Sequence, residues 1–144
     1  MIRLTRRYKF SASHRLDAPP LSAEANRALY GKCNNPFGHG HNYELEVRVR
    51  GPIDARTGLV VDLSKLDDLV GRLVIARFDH RYLNDEVPEF SRAVPTSENL
   101  AVEIGRRLGE SWSETFPQGS PALDRVRLRE TDRNIFDLPQ DTVQ

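Results

Sequence analysis

The chain has 144 residues with 21 basic and 21 acidic side chains, so no net field directs it to nucleic acid or to an anionic membrane. That length is one domain, residues 1–144, able to bury about two-thirds of its unfolded surface. One cysteine excludes an internal disulfide, and neither a leader pattern nor an apolar run of bilayer length is present, so the cytoplasm is the default expectation.

Residues Ile2 to Ser13 alternate, with Ile2, Leu4, Tyr8, Phe10 and Ala12 on one face and Arg3, Thr5, Arg7, Lys9 and Ser11 on the other. That is a half-buried strand, with Arg6 as the exception and His14 continuing the apolar phase. A clearer strand spans Asn42 to Gly51, where Tyr43, Leu45, Val47 and Val49 oppose Glu44, Glu46, Arg48 and Arg50. After Leu59-Val60-Val61, Ser64 reads as the cap of a helix whose stripe is Leu66, Leu69, Val70, Leu73 and Val74 and whose end is near Phe78. Asp79-His80-Arg81-Tyr82 then falls in a loop. Pro95-Thr96-Ser97-Glu98 opens a second helix that buries Leu100, Ala101, Ile104 and Leu108. Leu123 to Thr131 is a closing strand, Ile135-Phe136 a weakly signalled last one, and Pro139 onward a loose tail. The expected fold is α+β, an antiparallel four-stranded sheet with two helices on its apolar face.

Metal-grade side chains are scarce and concentrated. The four histidines are His14, His39, His41 and His80, and Cys33 stands six residues before His39. Extended backbone puts residues i and i+2 on one face, so His39 and His41 converge, with Gly40 between them leaving room. With His14 in apolar phase, three imidazoles make a zinc site with an open fourth position a better reading than a surface loop. Cys33 has three readings: inert hydrophobe, fourth ligand of a closed structural site, or thiolate beside the metal, favoured by Lys32 and the cation. Asp79 and His80 are most simply a solvated turn, unless the carboxylate orients the imidazole for proton transfer. Glu130 lies in phase with Val126 and Leu128, and a carboxylate on an apolar face needs a partner. Thr96, Ser97 and Glu98 read as cap and first turn, or as a surface for a heterocycle with adjacent N–H donors. Arg15 and Lys32 are either solvated charges or holders of a phosphate chain.

Taken together, Phe10-Ser11-Ala12-Ser13-His14-Arg15-Leu16, Gly31-Lys32-Cys33 through His39-Gly40-His41-Asn42-Tyr43, Phe78-Asp79-His80, Pro95-Thr96-Ser97-Glu98-Asn99 and Glu130-Thr131-Asp132 resemble the 6-pyruvoyl-tetrahydropterin synthase family. The motifs occur in that family's order and span nearly the whole chain. The resemblance implies a tunnelling fold whose sheets join into a barrel, usually in a hexamer of two trimers with active sites between subunits. It implies His14, His39 and His41 as Zn2+ ligands, Cys33 as general base assisted by Asp79 and His80, and Glu130 as pterin anchor. Thr96, Ser97 and Glu98 would line the pterin pocket. The implied reaction takes 7,8-dihydroneopterin triphosphate to 6-pyruvoyl-tetrahydropterin by elimination of triphosphate, a carbon–oxygen lyase step without a redox cofactor.

The related 6-carboxy-tetrahydropterin synthases of queuosine biosynthesis use the same substrate and metal. Their segment between cysteine and His-Gly-His is usually shorter, whereas here Asn34 to Gly38 intervenes, as in the pyruvoyl-forming type. Ser97 departs from the threonine of animal members. Two non-catalytic readings stand beside the enzyme: a structural zinc protein and a pterin-binding module without turnover.

Overall fold

The computed structural model describes residues 1–140, and two long strands set its frame. β1 (Ile2–His14) and β2 (His39–Gly51) pair antiparallel from Ile2↔Gly51 to His14↔His39 without a break in register. Because side chains alternate, this register stacks Phe10 opposite Tyr43, Ala12 opposite His41 and His14 opposite His39 on one face. β1 therefore runs one residue beyond Ser13, and β2 begins three residues before Asn42.

Three further strands complete the sheet in the order β3-β1-β2-β4-β5. β4 (Ala122–Arg129) and β5 (Ile135–Pro139) extend it antiparallel on one side, while β3 (Arg81–Tyr82) lies parallel to β1 on the other. The sheet thus has five strands rather than four, because the short β3 docks where a loop is expected. β4 ends at Arg129, two residues short of Thr131. Pro139 belongs to β5, and the Gln140 N–H donates to the Asp124 carbonyl at 3.0 Å, so the chain is still tied to the sheet where a loose tail is expected. Residues 141–144, which carry the rest of that expected tail, lie outside the described residues.

The apolar face carries the helices. α2 (Leu63–Val70) runs through a π-helical turn (Gly71–Ile75) into α3 (Ala76–Phe78), and α5 (Ser97–Thr115) crosses beside it. Leu66, Leu69, Val74, Leu100, Ile104 and Leu108 are fully buried against Leu45, Val47, Val126 and Leu128. The cap of α2 is Asp62, not Ser64. Its carboxylate accepts the Ser64 and Lys65 N–H groups at 3.0 and 3.3 Å, a charge-assisted arrangement that a serine two residues later cannot provide. Arg6, the exception in the alternation, is a clamp. Its Nη2 donates to Asp67 of α2 at 2.8 Å, and the neighbouring Tyr8 hydroxyl donates to the same carboxylate at 2.7 Å.

Two short helices have no apolar stripe to announce them. α1 (Ala23–Tyr30) buries only Asn26, whose side chain hydrogen-bonds to backbone groups of Ala18, Leu21 and Ser22. α4 (Leu83–Glu86) follows β3 directly. Among the described residues, no helix is long and apolar enough to cross a membrane.

Phe78 is the pin of the helix face beside the Asp79-His80 turn. It is fully buried, lies 6.1 Å from the Phe10 ring and has the Arg107 guanidinium 4.8 Å above its centroid. Phe78→Ala is expected to lower unfolding stability by about 3–5 kcal/mol, the range for a truncated buried aromatic. Urea unfolding checks this, and a loss under about 1 kcal/mol would remove Phe78 from this role.

Candidate active and metal site

The ends of β1 and β2 bring His14, His39 and His41 together. Their ring centroids lie 4.6 to 5.1 Å apart, and one ligand nitrogen from each can be chosen so that all three fall within 4.8 Å. His14 is buried, and its Nδ1 sits 2.7 Å from the Pro95 carbonyl, just ahead of α5. A carbonyl only accepts, so Nδ1 carries the proton and Nε2 presents a lone pair. That Nε2 lies 3.0 Å from Nε2 of His39. Burial holds the pKa values of His14 and His39 below the ordinary imidazole range, and the neighbouring histidines push the same way. Buried His39 Nδ1 and His41 Nε2 have no hydrogen-bond partner. Imidazoles with converging nitrogens and unpaired polar atoms fit a divalent cation held by three protein ligands, with a fourth position open.

Gly38 sets the approach of the loop to this end of the sheet. Its φ is +74°, and a Cβ there would stand 3.0 Å from the His14 carbonyl oxygen and 3.1 Å from the Tyr82 ring. Gly40, between His39 and His41, is different: a Cβ there would make ordinary contacts, the nearest at 3.6 Å to the Ala12 carbonyl oxygen. The room expected of Gly40 is therefore a requirement at Gly38.

Cys33 lies in a 3₁₀ turn (Gly31–Asn34) after α1 and is half-buried. Its carbonyl accepts the Leu16 N–H at 2.9 Å, and buried Asn34 donates to the Leu16 carbonyl at 2.7 Å and to Asp17 at 3.0 Å. These bonds tie the cysteine turn to the chain just beyond His14. Burial, followed by the charge of Glu130, pushes the thiol pKa up. The depression expected from Lys32 is absent from the chain itself, because Lys32 is exposed and desolvation with a nearby carboxylate dominates.

Glu130 reaches the same place from the end of β4. Its Oε2 lies 3.9 Å from His41 Nε2 and accepts a short hydrogen bond from the Ser97 hydroxyl. Asn134 donates to Oε1 at 3.4 Å, and the Glu130 N–H donates to the Asn134 carbonyl at 3.1 Å. Ser97, buried at the start of α5, thus turns toward Glu130, while Thr96 Oγ1 accepts the Asn99 N–H at 3.1 Å as helix cap. Glu98 is exposed in the first turn of α5. Arg15 donates to the Asn34 carbonyl at 3.2 Å and pairs with Asp17 at 3.6 Å, so its guanidinium braces the cysteine turn.

Asp79 and His80 form a dyad on the edge of β1. His80 Nδ1 is 3.0 Å from Asp79 Oδ2, and Asp79 Oδ1 accepts the Ser11 N–H at 2.9 Å. The His80 N–H in turn donates to the Ser11 carbonyl at 2.6 Å. The Ser11 N–H holds the Asp79 carboxyl below its ordinary range, with His80 adding to the effect. His80 has φ 60°, unusual for a residue other than glycine, and its side chain is 82% exposed. Among the described residues, no hydrogen bond or ion pair joins this dyad to Cys33 within one chain.

Three contributors carry no chemical signal of their own in the sequence: the Pro95 carbonyl, the Asn134 side chain and the Tyr43 hydroxyl. Tyr43 had one available sign, since it follows His39 and His41 in strand phase. Its ring centroid is 5.6 Å from that of His41 and 5.1 Å from that of Phe10.

A profile of the 6-pyruvoyl tetrahydropterin synthase family matches residues 3–140. The chain is similar to the 6-pyruvoyl tetrahydrobiopterin synthase of Poecilia reticulata, at 44% identity over 132 residues, covering 92% of this chain and 86% of that one. The structure of Caenorhabditis elegans 6-pyruvoyl tetrahydropterin synthase is similar with a TM-score of 0.87 at 38% identity, covering 96% of this chain and 94% of that chain. A shorter similarity, 38% over 72 residues, links half of this chain to 56% of a putative 6-carboxy-5,6,7,8-tetrahydropterin synthase of Archaeoglobus fulgidus.

Gly38→Ala is expected to cost about 1–2 kcal/mol from the left-handed backbone alone. It should also push the loop off the His14 carbonyl and so loosen His39. Metal content after dialysis, measured beside urea unfolding, should fall. Full metal retention with unchanged stability would contradict the role given to Gly38.

Proposed function

This chain belongs to the 6-pyruvoyl tetrahydropterin synthase family, and from that premise we propose that it is a zinc-dependent lyase. In this reading it converts 7,8-dihydroneopterin triphosphate to 6-pyruvoyl-tetrahydropterin and releases inorganic triphosphate. The observation that carries the reading is the meeting of three imidazoles at one end of the sheet, with the Glu130 carboxylate 3.9 Å from His41 and the half-buried Cys33 turn tied to the chain just beyond His14.

His14, His39 and His41 would hold the zinc, which when bound supplies Lewis acidity toward the substrate's side-chain hydroxyls and acidifies the neighbouring C–H. Glu130 accepts adjacent N–H donors of the pterin ring, a bidentate contact that fixes the heterocycle's orientation. Ser97 and Asn134 hold that carboxylate by donating to its two oxygens. Thr96 and Glu98 frame the same end of α5. Cys33 takes the substrate proton at Sγ, which requires the thiolate, although burial and Glu130 favour the thiol in the chain by itself. Arg15 and Lys32, flanking the cysteine turn, are assigned to the triphosphate.

The Asp79-His80 dyad relays protons. By the family resemblance we assign the chain to a hexamer of two trimers, in which the exposed dyad would serve a site shared with another subunit. The sheet offers an edge for such joining, because β3 covers only Ala12 and Ser13 of β1. The balanced charge and single cysteine agree with a cytoplasmic enzyme.

The short similarity to a putative 6-carboxy-tetrahydropterin synthase makes the carboxy product the second reading. Incubating purified protein with 7,8-dihydroneopterin triphosphate and identifying the product by mass spectrometry separates the two. The mass of 6-pyruvoyl-tetrahydropterin with equimolar triphosphate is the expected result. A carboxy-pterin would replace the product assignment, and no new pterin at all would defeat the reading.

Cys33→Ser is expected to keep fold and zinc while kcat falls by about 10²–10⁴-fold, the usual contribution of a positioned base. If the variant instead loses zinc and unfolds, Cys33 is a ligand of a structural site. If pterin binds without turnover in either protein, the chain is a binding module.

A further inference from the structure

Arg107 is a charge kept from water by four partners on separate stretches of chain. Its side chain is 15% exposed. Nε donates to Glu103 at 2.7 Å, one turn earlier in α5, and Nη2 donates to Glu89 at 3.1 Å, in the 3₁₀ turn Pro88–Ser91. Nη1 donates to the Leu73 carbonyl at 3.3 Å, inside the π-helical turn, and the guanidinium face covers the Phe78 ring at 4.8 Å. All three nitrogens are engaged, and so is the face. A desolvated guanidinium costs free energy, and a well-packed apolar residue in its place is often as stable. Stability alone therefore does not account for it. What the planar fork adds is geometry, because it fixes its neighbours in direction as well as in distance.

Those neighbours lead to the Asp79-His80 dyad. Phe78 closes α3, and Asp79 and His80 come next. The Asp79 N–H donates to the Ile75 carbonyl at 2.9 Å, so the π-helical turn that Arg107 grips also sets where Asp79 leaves the helix. From there the Asp79 carboxylate accepts the Ser11 N–H at 2.9 Å, and the His80 N–H donates to the Ser11 carbonyl at 2.6 Å. His80 holds this place at φ 60°, in the left-handed region that side chains other than glycine disfavour. Such a conformation persists only where its surroundings over-determine it. On the far flank, β3 pairs with β1 and the Tyr82 N–H donates to Glu86 at 2.6 Å. On the near flank, the holding group is Phe78 under Arg107.

We propose that Arg107 is a positioning residue for the Asp79-His80 dyad, acting through the Phe78 ring and the Leu73 carbonyl. Its role rests on the assignment of that dyad to proton transfer. Arg107 bonds to neither dyad residue; it holds the turn from which the exposed imidazole is presented. Its neighbour Arg106 supplies the contrast. Arg106 donates to the same Glu103 at 2.6 and 2.9 Å and to Glu110 at 2.8 Å, and among the described residues its hydrogen bonds reach neither Leu73 nor Phe78.

Arg107→Lys keeps the charge and removes the fork, and because Glu103 retains Arg106, no buried carboxylate is stranded. Amide hydrogen exchange of the full-length, zinc-loaded protein follows the turn directly. The Ser11 and His80 amides, which make the dyad's two bonds to β1, should exchange about tenfold faster, the scale of one lost cation–π or hydrogen-bond contact. The amides of β2 and α5 should stay within about twofold of the wild type. In turnover of 7,8-dihydroneopterin triphosphate, kcat should fall about 10- to 100-fold with KM within about twofold, since a displaced group costs rate while Glu130 still binds the pterin. Arg106→Ala should match the wild type in both measurements, and zinc content should be the same throughout.

Unchanged exchange at Ser11 and His80 in Arg107→Lys overturns the proposal. So does faster exchange spread evenly through β2 and α5, or an equal effect in Arg106→Ala, since either marks Arg107 as one ion pair of a stability network. Faster exchange at the dyad with wild-type kcat overturns it as well if His80→Ala lowers kcat, and the proton-transfer assignment then stands. If His80→Ala turns over like the wild type, or the wild type does not turn over at all, the assignment of the dyad fails, and this inference with it.

Discussion

The constraint on which the molecule depends is the register between β1 and β2. A strand alternates its side chains, so a slip of one residue would send the whole apolar set to the other face and separate His14 from the His39–His41 pair. The pairing of Leu45 with Tyr8 and of Tyr43 with Phe10 places buried rings and branched chains in layers, and the same parity carries His41 and His39 to meet His14. Core packing thereby aligns the three histidines without a separate device. The Arg6 and Tyr8 contacts to Asp67 extend the same frame to the helix layer, since α2 is held over β1 by side chains of a single strand.

What lies at the end of this frame leaves buried imidazole nitrogens of His39 and His41 without hydrogen-bond partners. The buried imidazoles repel protonation through desolvation and through each other. The thiol beside them is held protonated by the same dryness and by the Glu130 carboxylate. Such a cluster persists because its neighbours over-determine it. Pro95 fixes the His14 tautomer, Asn34 ties the cysteine turn to Leu16, and Gly38 lets the loop pass against the His14 carbonyl.

Much of this was legible in the residues. The alternation of β2 and the stripe of α5 with its Thr96 cap are local signals, and the structure follows them. The convergence of His39 and His41 is a consequence of spacing alone. Less was legible where polar groups do the organising. α1 is held by the amide of Asn26, which has no periodicity to read. β3 exists because Asp79 and His80 bond to the Ser11 backbone and deliver Arg81 and Tyr82 to the β1 edge, a contact across 68 residues of chain in the case of Asp79. Asp62 rather than Ser64 caps α2 because the backbone enters the helix two residues earlier than the apolar stripe shows.

The sequence by itself determined which side chains could do chemistry, which strand parity they share, and which family they resemble, because these follow from residue type, spacing and motif order. Only the tertiary structure decided that Ser97 binds Glu130 rather than capping a helix, that Gly38 and not Gly40 is the glycine required, and that the phenol of Tyr43 is buried without a partner. Those facts depend on distances between segments far apart in the chain. No local pattern encodes such distances, and the packing of α5 and the end of β4 against the β1–β2 pair sets them.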